Sequence, residues 1–272
     1  MMVKAPALPA LAALFLAAAP LDARPSGENG DVIAVEILPG WREADGSHIA
    51  AIKMVLAEGW KTYWRSPGDA GIPPQFDWSG SENVARVTPH FPVPKVFDQE
   101  GMRAIGYKDQ VVIPLRIDRA RQSAPIRLSA EVSLGICLDI CIPAFVNFDA
   151  MLPAEGASHP DIVAALSDRP MTEREASVGA VTCSIRPIDN GLSLTVSAQM
   201  PAYGREEEAA IETADPSVWV AEPDMVRDGG TLHATTRLIK YDDAPIAFDR
   251  SGLRMTVFAG GEAVDIQGCT AR

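Results

Sequence analysis

The sequence predicts an all-β protein made of two immunoglobulin-like β-sandwich domains joined by a short helical connection. Short runs rich in Val and Ile recur along the chain with turn residues between them, the pattern of a sandwich. A helical period occurs in one short stretch only, about 158–176. Setting aside the first 23 of 272 residues leaves 249, room for two domains of ordinary size.

The elements follow in order. Met1, Met2, Val3 and Lys4 make a short positive start, and 5–19 is an apolar run rich in Ala and Leu. Such a run is shorter than the roughly 20 residues a membrane span needs. With Pro20, Asp22 and Arg24 behind it, residues 1–23 are expected to be a signal peptide cleaved near Ala23. The first domain is expected over 24–155, with strands at 31–38, 47–57, 60–65, 83–87, 110–117, 126–137 and 144–149. In 60–65 a period of two sets Trp60, Thr62 and Trp64 on one face and Lys61, Tyr63 and Arg65 on the other, with one face buried. Pro67, Gly68, Gly71, Pro73 and Pro74 mark a loop at 66–74. The tract 91–107 reads as an irregular loop, long enough to suspect a function.

A connecting segment is expected at 156–176, where Ile162, Val163, Ala165 and Leu166 keep a helical spacing that ends near Pro170. The second domain is expected over 177–272. It opens with strands 181–188 and 192–198 around Asp189, Asn190 and Gly191, a hairpin signal. Further strands are expected at 209–212, 218–220, 231–239, 253–258 and 263–267.

Charge and motif content exclude several function classes. Lys and Arg number 24 against 36 Asp and Glu, a net charge of -12, and the basic residues are scattered. Nucleic acid is therefore not an expected partner. Beyond residue 24 every apolar run is broken by charge, Pro or Gly, so the mature chain is not expected to be an integral membrane protein. There is no Gly-rich phosphate loop, His-Glu-x-x-His, Gly-x-Ser-x-Gly or Cys-x-x-Cys. His48, His90, His159 and His233 stand far apart and read as surface or strand residues.

The chemistry left is that of cysteine. Cys137, Cys141, Cys183 and Cys269 form an even set, which favours disulfides in an oxidising compartment. Three pairings are formally possible, and spacing selects Cys137 with Cys141, leaving Cys183 with Cys269. In the chain-entropy picture the long loop contributes about 4.5 kcal/mol and the short ring about 2 kcal/mol. The short ring is thus the weak staple. It demands a sharp bend at Leu138, Asp139 and Ile140, since four extended residues span about 13 Å and bridged Cα atoms sit near 5.5 Å. Gly135 and Pro143 suit a loop that presents sulfur, and Asp139 could accept a proton or restrain the thiolate. The competing reading is an inert bridge trimming a strand end.

Three segments resemble a known family: 59–71 (Gly-Trp-Lys-Thr-Tyr-Trp-Arg-Ser-Pro-Gly-Asp-Ala-Gly), Ile105-Gly106-Tyr107, and 137–143 (Cys-Leu-Asp-Ile-Cys-Ile-Pro). Together they are similar to the N-terminal periplasmic domain of DsbD-like disulfide reductases, in the flavour of the suppressor-of-copper-sensitivity ScsB proteins. The resemblance covers about 31–150 well and the second unit loosely. It implies a periplasmic immunoglobulin-like domain, needing no cofactor and binding no metal, that carries reducing equivalents between a membrane-embedded thiol reductase and thioredoxin-like proteins. In that reading Cys137 and Cys141 take the redox positions, with Asp139 as the acidic residue between them. Tyr63, Trp64 and Tyr107 match motif positions around the site, while Cys183 and Cys269 make a structural bridge in the second unit. Two departures stand out: enterobacterial DsbD spaces its cysteines more widely, and this chain carries no membrane conduit or thioredoxin domain, so the resemblance implies a membrane partner in trans.

Two rivals follow from the residues. As thiolates, Cys137 and Cys141 are soft ligands suited to Cu(I), with Met102 as a possible helper, which would make a copper-tolerance protein. The other is a non-enzymatic binding module whose bridges are all structural.

Overall fold

A computed structural model of the chain describes residues 21–23, 31–69, 71–99, 101–122, 124–241 and 244–271. The signal peptide expected at 1–23 lies outside the described residues except for Leu21–Ala23, a strand whose backbone pairs with 35–37. Among the described residues the regular structure is strand apart from one α-helix, Pro160–Ser167, so the all-β expectation holds.

Two sheets form from the first part of the chain. One runs in the order Leu21–Ala23, Ile33–Arg42, His48–Leu56, Gln110–Arg119, Val84–Pro89. The other runs Cys141–Leu152, Ile126–Cys137, Lys61–Tyr63, Met102–Lys108, Lys95–Gln99, with Gln75–Asp77 also pairing to Ile126–Cys137. Alternation explains how they face each other. On the Ile126–Cys137 strand Leu128, Ala130, Val132, Leu134 and Ile136 all point inward, and they meet Ile33, Val35, Ile52, Ile113 and Leu115 of the facing sheet in one core. Each such Ile or Leu contributes roughly 1.5–3 kcal/mol by leaving water.

Two further sheets form from the later part. Met171–Thr172, Glu262–Gln267, Arg254–Ala259 and Glu208–Glu212 make the smaller one, with Glu208–Glu212 at its edge. Trp219–Val220, Thr231–Ile239, Gly191–Gln199, Val181–Ile188 and Thr270–Ala271 make the larger, and Asp224–Asp228 also pairs with Thr231–Ile239. Leu194, Val196, Leu232, Met255, Val257 and Ile266 fill the core between them. Asn190 and Gly191, both at positive φ, close the expected hairpin.

The segment 156–176 divides between these parts. Ile162 and Ala165 of the helix pack against Leu38, Ile49, Ala51 and Val112 of the first sheet, whereas Met171 and Thr172 pair with Val264 and Asp265. Nor are the two cores separate. Phe258, Ala210 and Ala263 pack into the first core, where Phe258 meets Trp64 edge-on with ring centres 5.4 Å apart.

Three expectations change. The tract 91–107 is no irregular loop: Lys95–Gln99 and Met102–Lys108 pair as a hairpin turning near Gly101. Polar residues at Lys95, Asp98, Gln99 and Arg103 hide its period from the sequence. In 60–65 the strand is only Lys61–Tyr63, and both faces are covered, Trp64 by the main core and Tyr63 by a small second cluster with Ala104 and Cys137. Gly135 and Pro143 lie in strands, directly across from each other, so only 138–140 is turn.

Candidate functional site

The site is the tip of one long hairpin. Strands Ile126–Cys137 and Cys141–Leu152 pair in unbroken register from Ile126 opposite Leu152 to Cys137 opposite Cys141. The register brings the two cysteines face to face at the last rung, and a disulfide joins them with Cα atoms 4.2 Å apart. The bend expected at Leu138, Asp139 and Ile140 is the turn between the strands. Cys137 is wholly buried, Cys141 is partly exposed, and Ile140 at the tip is 77% exposed. Cys141 is therefore the more accessible residue of the two.

Among the described residues, Tyr63 and Gln99 reach the sulfurs. The Tyr63 hydroxyl lies 2.7 Å from Cys137 Sγ and 2.8 Å from Cys141 Sγ. Gln99 Nε2 donates to Cys141 Sγ at 3.0 Å, and Gln99 Oε1 sits 3.3 Å from the Tyr63 hydroxyl. Burial raises the pKa of Tyr63, partly offset by Gln99, so the phenol keeps its proton and acts as donor.

Glycines make room for that tyrosine. A Cβ at Gly135 would come within 3.0 Å of the Tyr63 ring, and one at Gly71 within 2.7 Å. Gly135 is two residues before Cys137 on the same face of its strand, so the ring lies along the strand and its hydroxyl ends at the sulfur. Strand pairing sets the ring's position: Tyr63 is opposite Gly106, and Trp64 N donates to Ile105 O at 3.0 Å. Lys61 is in register with both Cys137 and Lys108, and the two ammonium groups flank the Phe97 ring at 5.3 and 5.2 Å. Phe97 packs beside the cysteines, so positive charge lies near a site where a thiolate would form.

The other motif residues separate from the sulfurs. Trp64 faces the main core, and Arg65 stacks over its ring at 3.8 Å. Tyr107 is buried in the same core and donates to Pro92 O at 2.9 Å; burial pushes its pKa well up. Asp139 is exposed at the tip and makes no side-chain hydrogen bond or ion pair among the described residues. Met102 is half exposed at the hairpin turn, and no group of three or more His, Cys, Asp or Glu gathers as a metal site among the described residues. Gln99 escaped the sequence reading. It lies in the tract flagged for its length, but nothing local distinguishes it from any other glutamine.

The second disulfide has different surroundings. Cys183 pairs with Cys269 across 86 positions, and Cys183 is buried among Leu194, Val196 and other apolar residues. Cys269 N donates to Arg250 O at 3.1 Å, and Cys269 Sγ lies 4.0 Å from the same carbonyl.

The first two sheets thus present a short disulfide under a tyrosine hydroxyl at a hairpin tip. Residues 34–153 match the family model described as thiol:disulfide interchange protein DsbD, N-terminal, the family that the motifs of this part of the chain resemble. Among solved structures, the chain is similar to the crystal structure of the N-terminal periplasmic domain of ScsB from Proteus mirabilis. The TM-score is 0.67 at 22% identity, covering 93% of this chain and 100% of that one, so the likeness of fold extends through the later sheets. No curated protein matches.

Proposed function

We propose that the protein is a periplasmic thiol–disulfide interchange protein that passes reducing equivalents between a membrane electron conduit and thioredoxin-like proteins through Cys137 and Cys141. The observation that carries this is what surrounds the pair: the Tyr63 hydroxyl in reach of both sulfurs and Gln99 donating to the partly exposed Cys141. A partner thiolate attacks Cys141 Sγ, the Cys137–Cys141 bond breaks, and Cys137 leaves as a thiolate that Tyr63 stabilises by hydrogen bonding. The partner's second thiolate then attacks its own sulfur in the mixed disulfide and releases Cys141. The partner ends oxidised and this pair reduced; the reverse sequence delivers the electrons onward.

In this reading residues 1–23 are a signal peptide, and 24–155 and 177–272 are two immunoglobulin-like domains joined through 156–176. The compartment follows from that of the ScsB domain the chain resembles. Among the described residues no helix is long and apolar enough to cross a membrane. The test is equilibration of the full chain in glutathione and dithiothreitol buffers, followed by alkylation and mass measurement. A potential for the short bridge above about -300 mV is expected, and a value well below it would leave the bridge a staple.

A further inference from the structure

Tyr63 and Gln99, which touch the sulfurs, each sit near an arginine that crosses to the later part of the chain. Arg65 is two residues after Tyr63 along one short stretch of backbone. Its guanidinium forks onto Glu212, with Nε 3.1 Å from Oε1 and Nη2 2.9 Å from Oε2, and Nη2 also reaches Thr256 Oγ1 at 3.2 Å. Arg103, next to the turn that carries Gln99, donates from Nη1 to Ala209 O at 2.9 Å and pairs with Glu208 at 3.5 Å. Both arginine side chains are largely buried, at 16% and 12% exposure. Glu212, Ala209 and Glu208 lie on one strand, Glu208–Glu212, the edge of its sheet, while Thr256 is on the neighbouring Arg254–Ala259 and Arg103 Nε also lies 3.2 Å from Glu222 Oε1.

We propose that the Glu208–Glu212 edge strand is a positioning element of the disulfide site, holding Tyr63 against the sulfurs through Arg65 and Gln99 through Arg103. The inference rests on the exchange reading above and assigns the later sheets a part in it. Three consecutive side chains convey the grip: Arg65 is clamped by Glu212, Trp64 is held between Arg65 and Phe258, and Tyr63 projects the other way onto the cysteines. Residues this close share a backbone with only two soft dihedrals each, so freeing Arg65 widens the range of Tyr63. A donor hydrogen bond favours a thiolate over a disulfide sulfur, because the charge is concentrated on one atom. Loosening Tyr63 therefore shifts the equilibrium toward the disulfide. The bidentate fork matters as well as the charge, since lysine cannot reproduce it.

The test uses the full chain and the variant Glu212→Gln, which keeps size and removes the charge. Its dithiol–disulfide equilibrium in dithiothreitol buffers is expected to move at least threefold toward the disulfide, about 14 mV, in the same direction as Tyr63→Phe. In the Tyr63→Phe background, Glu212→Gln is expected to add almost nothing, because it acts through the missing hydroxyl. An unmoved equilibrium in Glu212→Gln, or a full shift that persists without the Tyr63 hydroxyl, overturns the proposal. Should Glu212→Gln fail to fold, Arg65→Lys carries the same expectations and the same power to overturn. The underlying exchange reading is checked separately with a thioredoxin lacking its resolving cysteine. Failure of the wild-type chain to form a mixed disulfide with it overturns that reading, whereas normal exchange with an unmoved Glu212→Gln equilibrium overturns the positioning alone.

Discussion

The two disulfides differ less in burial than in what surrounds them. Cys137 and Cys183 are both almost wholly buried, so burial does not distinguish a redox pair from a staple. Ring size does. Cys137–Cys141 closes a ring with a sequence separation of 4 and is worth about 2 kcal/mol in the chain-entropy picture, whereas Cys183–Cys269, with a separation of 86, is worth about 4.5 kcal/mol. The polar surroundings differ too. Tyr63 and Gln99 aim donors at the short bridge, while the long one lies among Leu194, Val196 and other apolar side chains. In the proposed reading, the bridge that contributes little to folding but is furnished with hydrogen-bond donors opens, and the one that ties Val181–Ile188 to a segment 86 positions later against an apolar core stays closed.

The sharpest way to break this contrast is to remove the cysteines one at a time. Cys141→Ala is expected to abolish adduct formation with a thioredoxin-like partner, while Cys137→Ala accumulates it, because attack proceeds and resolution does not. Non-reducing gels and mass measurement read the outcome, and adducts of equal yield from both variants would end the assignment of roles. Next in size is stability. Replacing Cys183 and Cys269 together by Ala is expected to lower the unfolding free energy by about 2 to 5 kcal/mol in urea titrations while leaving exchange at the other pair intact. Replacing Cys137 and Cys141 together should lower it by no more than about 2 kcal/mol. A larger loss from the short pair would reverse the contrast.

Tyr63→Phe sharpens it further. Removing one hydrogen bond to a charged group costs about 1.5 kcal/mol at the low end, so the dithiol–disulfide equilibrium is expected to shift roughly tenfold toward the disulfide, with the thermal midpoint nearly unchanged. An unmoved equilibrium would take the hydroxyl out of the chemistry.

The smallest expected effect lies outside both bridges. His48 is buried, with Nε2 2.6 Å from Pro39 O, and burial lowers its pKa below the usual 6.5. A neutral histidine in the folded state and a protonatable one in the unfolded chain mean that its contribution is complete above about pH 6.5 and is lost as pH falls toward the lower folded value. The loss for one proton is at most about 1.4 kcal/mol per pH unit. Thermal midpoints of wild type and His48→Gln between pH 5 and 8 check this: the variant should show the shallower slope, and the short bridge's exchange equilibrium should be the same in both.

Much of the fold was legible because sheet periodicity is local. The strands Ile126–Cys137 and Thr231–Ile239 run over the residues their alternation indicates, and Asn190 and Gly191 announce a hairpin through their tolerance of positive φ. The Lys95–Lys108 hairpin was not legible. Its charged and polar residues break the apolar alternation, and pairing of the two strands with each other and of Met102–Lys108 with Lys61–Tyr63 holds them in the sheet instead.

The site divides along the same line. Cysteines separated by three residues can meet only over a tight local bend, so the meeting of Cys137 and Cys141 was a property of the sequence by itself, as was the motif that placed Tyr63 in a known family. Which motif aromatic reaches the sulfurs was not. Alternation sets Tyr63 and Trp64 on opposite faces but does not say which face meets the cysteines; pairing of Lys61–Tyr63 with Met102–Lys108 sends Tyr63 to them and Trp64 and Tyr107 to the core. Gln99 and Glu212 stand 42 and 147 residues from the groups they grip, Cys141 and Arg65. Contacts at that separation depend on how sheets register and pack rather than on any local pattern, and so only the tertiary structure decided them.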